Sequence, residues 1–219
     1  MKVLIVAAHP DDEVIGAGGT IARRVADGDA VSLLVMTEIW EPRWPESERA
    51  VRTAEVEAAA KVLGVREVRF GGFPAAKLST CAGVALVDAI SGAIEAVGAE
   101  VVYLPPGVDI HRDHVEVFSA GLVATRPLPD STVREVYAYE IGTTAHYGRP
   151  DAGLAPNVYI DISDHMQTKL EAMACYASEL RELPHPRSLE GLKIIARERG
   201  LAIGVEYAEA FQLVRLVEK

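Results

Sequence analysis

An unbroken apolar run over residues 3–8 stops at His9-Pro10-Asp11-Asp12-Glu13, and a glycine-rich stretch with helical spacing follows over 14–26. A strand that is apolar at every position must be covered on both faces, the condition found inside a parallel sheet. The unit repeats. Residues 30–36 are β-branched and apolar, Pro45 can open a helix, and 46–63 carry alanine-rich helical spacing closed by Gly64. A third strand is expected over 65–70, an amphipathic helix over 84–97, a strand over 100–104 and a helix over 111–124, before Pro127. The later chain is less regular, with strands expected over 135–140 and 158–162 and helices over 164–180 and 188–199. This alternation predicts an α/β fold: a Rossmann-like, doubly wound, mostly parallel sheet with helices on both faces. No Ser/Gly linker interrupts the 219 residues, so one domain over 1–219 is expected.

Composition narrows the partners. A net charge of −10 disfavours a nucleic-acid partner, which would call for basic stripes to displace counterions. The opening apolar run is too short for a signal-peptide core or a membrane span, and no basic amphipathic helix suggests a membrane partner. Cys81 and Cys175 lie far apart in no CxxC pattern, so a reduced, cytoplasmic compartment without targeting is expected.

Open parallel sheets collect ligands where strands end at their carboxyl edge. His9-Pro10-Asp11-Asp12-Glu13 falls just past the first strand, and His111-Arg112-Asp113-His114 follows the strand over 100–104 and the loop Pro105-Pro106-Gly107. Each cluster alone also reads as an ordinary helix start, with Asp11 or Asp12 as a cap or the second cluster as a solvated first turn. Two clusters at one edge favour a composite site. A histidine and an aspartate from the first with a histidine from the second supply three N/O ligands and leave a fourth position for water, as at catalytic zinc. The spare aspartate can then accept a proton, and the remaining histidine can serve the oxyanion or the leaving amine.

The AHPDDE opening, the later HxDH and the helix ending in Leu63-Gly64 strongly resemble the LmbE-like, or PIG-L, zinc deacetylases. The resemblance spans at least residues 2–127. Looser matches at Phe73-Pro74, Lys77-Leu78, Pro156-Asn157, Asp161-Ile162-Ser163, Pro184-His185-Pro186-Arg187-Ser188 and Ala208-Glu209-Ala210-Phe211 extend it to almost the whole chain. It implies His9, Asp12 and His114 as zinc ligands and Asp11 as general base. It makes His111 the oxyanion or leaving-group partner, oriented by Asp113, and Arg52, in Arg-x-x-Glu with Glu55, a substrate contact. The rival for Arg52 is an ion pair with Glu55 on one helix face. His185 and Arg187 sit on a proline-stiffened loop, either reaching the substrate, their own or a neighbour's in a homo-oligomer, or forming an exposed turn. The implied reaction is hydrolysis of the N-acetyl group of a small N-acetylglucosamine-type sugar or conjugate. N/O ligands of this kind also accept Fe2+, Co2+ or Ni2+. Two departures leave the substrate open: Thr37-Glu38-Ile39-Trp40 stands where many relatives place a small residue two positions after the threonine, and Ser79 where sugar-processing relatives often carry aspartate.

Gly16-Ala17-Gly18-Gly19 lacks the last glycine of a dinucleotide fingerprint, having Ile21 there, and reads instead as a close-packing face. Trp40 and Trp44 flank a Pro- and Glu-rich loop and can stack on a sugar or cover the core. Two rivals to the hydrolase use the same residues. A ferrous-iron facial triad would combine two histidines and one carboxylate, but gives Asp11 no role. The other is a metal- or sugar-binding module without turnover.

Overall fold

The computed structural model describes residues 1–145 and 155–218. Strands β1 (Lys2–Ala7), β2 (Ala30–Glu38), β3 (Glu67–Pro74), β4 (Val101–Leu104), β5 (Glu135–Tyr139), β6 (Val158–Asp161) and β7 (Ala208–Leu216) form one seven-stranded sheet in the order β3-β2-β1-β4-β5-β7-β6. Pairing is parallel from β3 through β5, and β7 runs antiparallel between β5 and β6. The helices are α1 (Asp12–Ala26), α2 (Arg49–Leu63), α3 (Gly83–Val97), α4 (Arg112–Ala124), the single turn α5 (Gly142–Ala145), α6 (Met166–Ala174) and α7 (Leu189–Leu201).

Alternation along β1 divides the core. Val3, Ile5 and Ala7 pack with α1, α2, α6 and α7, while Leu4, Val6 and Ala8 pack with α3 and α4 on the other face. Helices therefore cover both faces, and β1 reads as apolar throughout because it is wet on neither. The glycines of α1 act as a packing face. A Cβ at Gly16 would overlap the Tyr139 ring and lie 2.9 Å from the Glu140 carbonyl oxygen, and one at Gly19 would lie 2.6 Å from Ile162.

Two expectations are corrected, and one strand was not expected. The helix expected over 46–63 starts as a 3-10 turn, Glu46–Glu48, before α2. The helix expected over 164–180 is only Met166–Ala174: beyond it Tyr176 turns into the core to reach Glu13, and Ser178 donates through its backbone and hydroxyl to Glu55 at 2.8 and 2.6 Å. Strand β7 is the element the apolar pattern hides. Its Glu209 is buried and accepts from Lys169 Nζ at 2.5 Å and from the backbone N–H groups of Gly19 and Thr20 at 2.9 and 2.7 Å. A buried charge stays where it is paired and hydrogen-bonded, so a polar residue here marks the interior.

Candidate active site

The site sits where the sheet's connections part. From β1 the chain moves to β2 and β3 on one side, and β4 and β5 lie on the other, so the β1–β4 junction is the switch point at which loops splay and leave a crevice. His9 follows β1 and the 105–111 loop follows β4, and the parallel register Ile5 with Tyr103 brings the two ends side by side.

Three imidazoles converge there. One ring nitrogen from each of His9, His111 and His114 lies within 4.8 Å of the others. Asp12 joins them: its Oδ2 is 3.3 Å from His9 Nδ1 and 3.4 Å from His114 Nε2, and it accepts from the His9 backbone N–H at 2.8 Å. The outward nitrogens of two of these rings are each backed by a carboxylate. His9 Nε2 lies 3.0 Å from Asp113, and His114 Nδ1 lies 3.0 Å from Asp109. Such carboxylate–imidazole pairs fix ring orientation and raise ligand basicity at metal centres.

Electrostatics fit a cation. Burial acts against ionisation of Asp12, but the charge and hydrogen bonds of His114 and His9 hold its pKa far below the ordinary range. Burial likewise disfavours charged imidazoles, yet Asp113 and Asp12 push His9 up to about 9, and Asp12 and Asp109 push His114 up to about 10. The same acids thus favour positive charge at the place a metal would take. Burial and the charges of its two neighbours press His111 down to about 4, and its Nδ1 is buried without a partner among the described residues. Three nitrogens and a buried acid, with one nitrogen orphaned, are a donor set suited to a divalent ion.

Asp11 is oriented differently. It occupies the cap position of α1 with φ 94°, yet neither it nor Asp12 spends its side chain on capping the helix. Left-handed backbone at a non-glycine costs about 1–3 kcal/mol and persists only where the surroundings enforce it. Beneath it, the hydroxyl of Tyr176 donates to the buried carboxylate of Glu13, and the Asp11 amide favours the charged form of both groups. Burial, relieved in part by that hydrogen bond, pushes Glu13 up to about 7. Burial and the neighbouring Asp12 charge raise the pKa of Asp11 well above the usual carboxylate value, while Arg187, whose Nη1 lies 3.2 Å from Oδ2, pulls it back.

A cavity of about 510 Å³ opens above this floor, lined by His9, Asp11, Asp12, His111 and His114 below and by Arg52, His185 and Arg187 on one wall. His185 and Arg187 thus reach the cavity of their own chain. Arg52 does not pair with Glu55, which is taken by Ser178; it binds Glu48 and Glu179. Arg187 shares Glu179, at 2.7 Å. Asp113 does not orient His111. Its carboxylate is occupied by His9 and by the backbone N–H groups of Ala76 and Leu78 at 2.6 and 3.1 Å. The two tryptophans divide: Trp40 donates to the Ala75 carbonyl at 2.7 Å under Lys77, and Trp44 lines the cavity.

Sequence reasoning missed Asp109, Glu179 and Tyr176. Asp109 carried a signal, an acid two residues before His111 in a strand-end loop, where it also accepts from the His111 backbone at 2.7 Å and from Thr144 at 2.6 Å. Glu179 carried none, since it meets Arg52 across 127 residues.

Comparison with known proteins gives the geometry its context. A diacetylchitobiose deacetylase from Thermococcus kodakarensis is 28% identical, covering 97% of this chain and 83% of its own. Among solved structures, N,N'-diacetylchitobiose deacetylase from Pyrococcus horikoshii superposes with a TM-score of 0.77 at 24% identity, over 98% of this chain and 84% of that one. The 4-carboxy-2-hydroxymuconate hydratase from Pseudomonas putida superposes as well, at 0.80 with 22% identity over 100% and 98%, so the fold alone does not select the reaction. A 1D-myo-inositol 2-acetamido-2-deoxy-alpha-D-glucopyranoside deacetylase from Actinosynnema mirum is 30% identical, over 82% of this chain and 81% of its own. The family profile described as PIG-L, GlcNAc-PI de-N-acetylase, matches residues 4–125 of the 219, and the chain belongs to that family.

Proposed function

We propose that this chain is a zinc-dependent N-deacetylase that hydrolyses the acetamide of an N-acetylglucosamine-type sugar or conjugate. The observation that carries the reading is the divergence of two adjacent acids: Asp12 lies between His9 and His114, and Asp11 faces the cavity beside Arg187. The relatives named as deacetylases of N-acetylated amino sugars supply the substrate class.

His9, Asp12 and His114 would hold the zinc, which when bound would supply an acidified water and a Lewis acid for the amide carbonyl. Asp11, which faces the cavity beside Arg187, accepts the proton of the attacking water. His111, which lines the same cavity with its Nδ1 unpartnered among the described residues, hydrogen-bonds the oxyanion or carries the proton to the departing amine. The C–N bond breaks, the water oxygen remains on acetate, and the sugar leaves as a free amine. Asp113 and Asp109 keep His9 and His114 aimed. Arg52, His185 and Arg187 contact the sugar from the wall.

Acetate release from a panel of N-acetylated sugars by zinc-reconstituted protein is the test. No release from any of them, by protein with full metal occupancy, would sink the reading. Among the described residues no helix is long and apolar enough to cross a membrane. Assembly into a homo-oligomer is a separate part of the proposal, checked by light scattering.

A further inference from the structure

We propose that the segment between β2 and α2 builds an aglycone subsite in which Arg43 and Trp44 receive an anionic group of the substrate, a carboxylate or a phosphate. This rests on the N-deacetylase reading and extends it to substrate choice. Four arginines line the cavity, and they are not equivalent. Arg49 pairs with Glu38 and Glu46, Arg52 with Glu48 and Glu179, and Arg187 with Asp11 and Glu179. Arg43 has no carboxylate partner among the described residues; its guanidinium lies 4.8 Å from the centre of the Trp44 ring. A guanidinium held over an aromatic face keeps its N–H donors for bidentate pairing with an oxyanion.

The surroundings complete a subsite. Ile39, Val56 and Phe70 line the same cavity; the first two are buried, and Phe70, 44% exposed, is the apolar surface open to a substrate. A substrate reaching from the floor to this wall lays its uncharged body over that surface and ends in an acid at Arg43. The chain's net charge of −10 repels anions at long range, so recognition of one must come from a local cation. The subsite lies in the stretch that opens with Thr37-Glu38-Ile39-Trp40, outside the two clusters that form the floor.

The test uses three substrates with zinc-reconstituted protein: N-acetylglucosamine 1-phosphate, N-acetylglucosaminyl malate and methyl N-acetylglucosaminide. The wild type is expected to show a higher kcat/KM for one or both acids than for the methyl glycoside, and the preferred acid tells phosphate from carboxylate. Arg43→Gln, at an exposed position that leaves folding intact, should lower kcat/KM for the preferred acid by about tenfold through KM, the size of one partly solvated charge-assisted contact. It should leave the neutral glycoside unchanged, while Trp44→Ala weakens all three. Acetate release with no preference for an acid, or an Arg43→Gln variant that treats acid and neutral substrates alike, overturns the subsite and leaves the deacetylase reading standing. Acetate from none of the three overturns both.

Discussion

The floor and the wall of the cavity are assembled in opposite ways. The floor uses residues from two short segments, His9 to Asp12 and Asp109 to His114, set on the ends of neighbouring buried strands, and two of its three rings are backed by acids. The wall uses arginines and acids far apart in sequence, Arg52 with Glu179 across 127 residues and Arg187 with Asp11 across 176, and its ion pairs are partly solvated. Rigid strand ends suit groups whose geometry the chemistry dictates, and shared side chains on loops suit groups that select a substrate. Damage to the floor should abolish metal or turnover. Damage to the wall should change which substrate is used.

The largest effect is expected from a His9→Ala, His114→Ala double variant. It removes two of the proposed ligands, and stoichiometric divalent metal and acetate release should both vanish. Full metal occupancy by elemental analysis would move the metal elsewhere. Next comes the separation of the two acids. Asp11→Asn should retain metal and fold while losing about 10²–10⁴-fold in turnover. Asp12→Asn exchanges an anionic ligand for a neutral one and should lose metal as well. The opposite metal contents would reverse the two roles.

The acids behind the rings provide a finer test of the floor. Asp109→Asn leaves every proposed ligand in place but weakens the partner of His114 Nδ1, and zinc affinity should fall about 10- to 100-fold. Turnover at saturating zinc should recover most of the wild-type rate. Unchanged zinc affinity, measured by competition with a chelator, would make Asp109 only a loop anchor for Thr144 and the His111 backbone. Tyr176→Phe ranks below it. Glu13 loses its donor beneath Asp11, so kcat should drop by about tenfold with KM and metal content unchanged, a split that general destabilisation does not produce.

The same contrast decides what could be read from sequence. The parallel strands announced themselves because burial on both faces leaves a largely apolar run, as in 3–8 and 101–104, and the floor's motifs follow these two strands, the second after the loop that opens at Pro105. Strand β7 did not, because Glu209 inside it answers Lys169 on α6, a pairing visible only in three dimensions. The expected helix over 164–180 overran for a related reason: Tyr176 and Ser178 are held by Glu13 and Glu55 on α1 and α2, and those long-range bonds outweigh local helical preference. The family resemblance implied that Asp113 serves a histidine, but it pointed to His111 when the fold pairs it with His9, 104 residues away.

The smallest predicted effect tests the wall at its centre. Glu179 accepts from both Arg52 and Arg187, and Arg187 divides itself between Glu179 and Asp11. Glu179→Gln keeps the shape but removes the charge that holds the two arginines in register. The groups remain partly exposed, with side-chain exposures of 16% for Glu179, 18% for Arg52 and 26% for Arg187, so water and salt screen the loss and the stability change should stay near 1 kcal/mol. Metal content should not move, because no proposed ligand touches Glu179. The arginines, freed from their shared acid, should lose their fixed approach to the sugar, and KM should rise about three- to tenfold while kcat stays within about threefold, as expected for lost ground-state binding. A fall in kcat comparable to that of Asp11→Asn, with KM unchanged, would place Glu179 with the floor's chemistry and erase the division between the two regions.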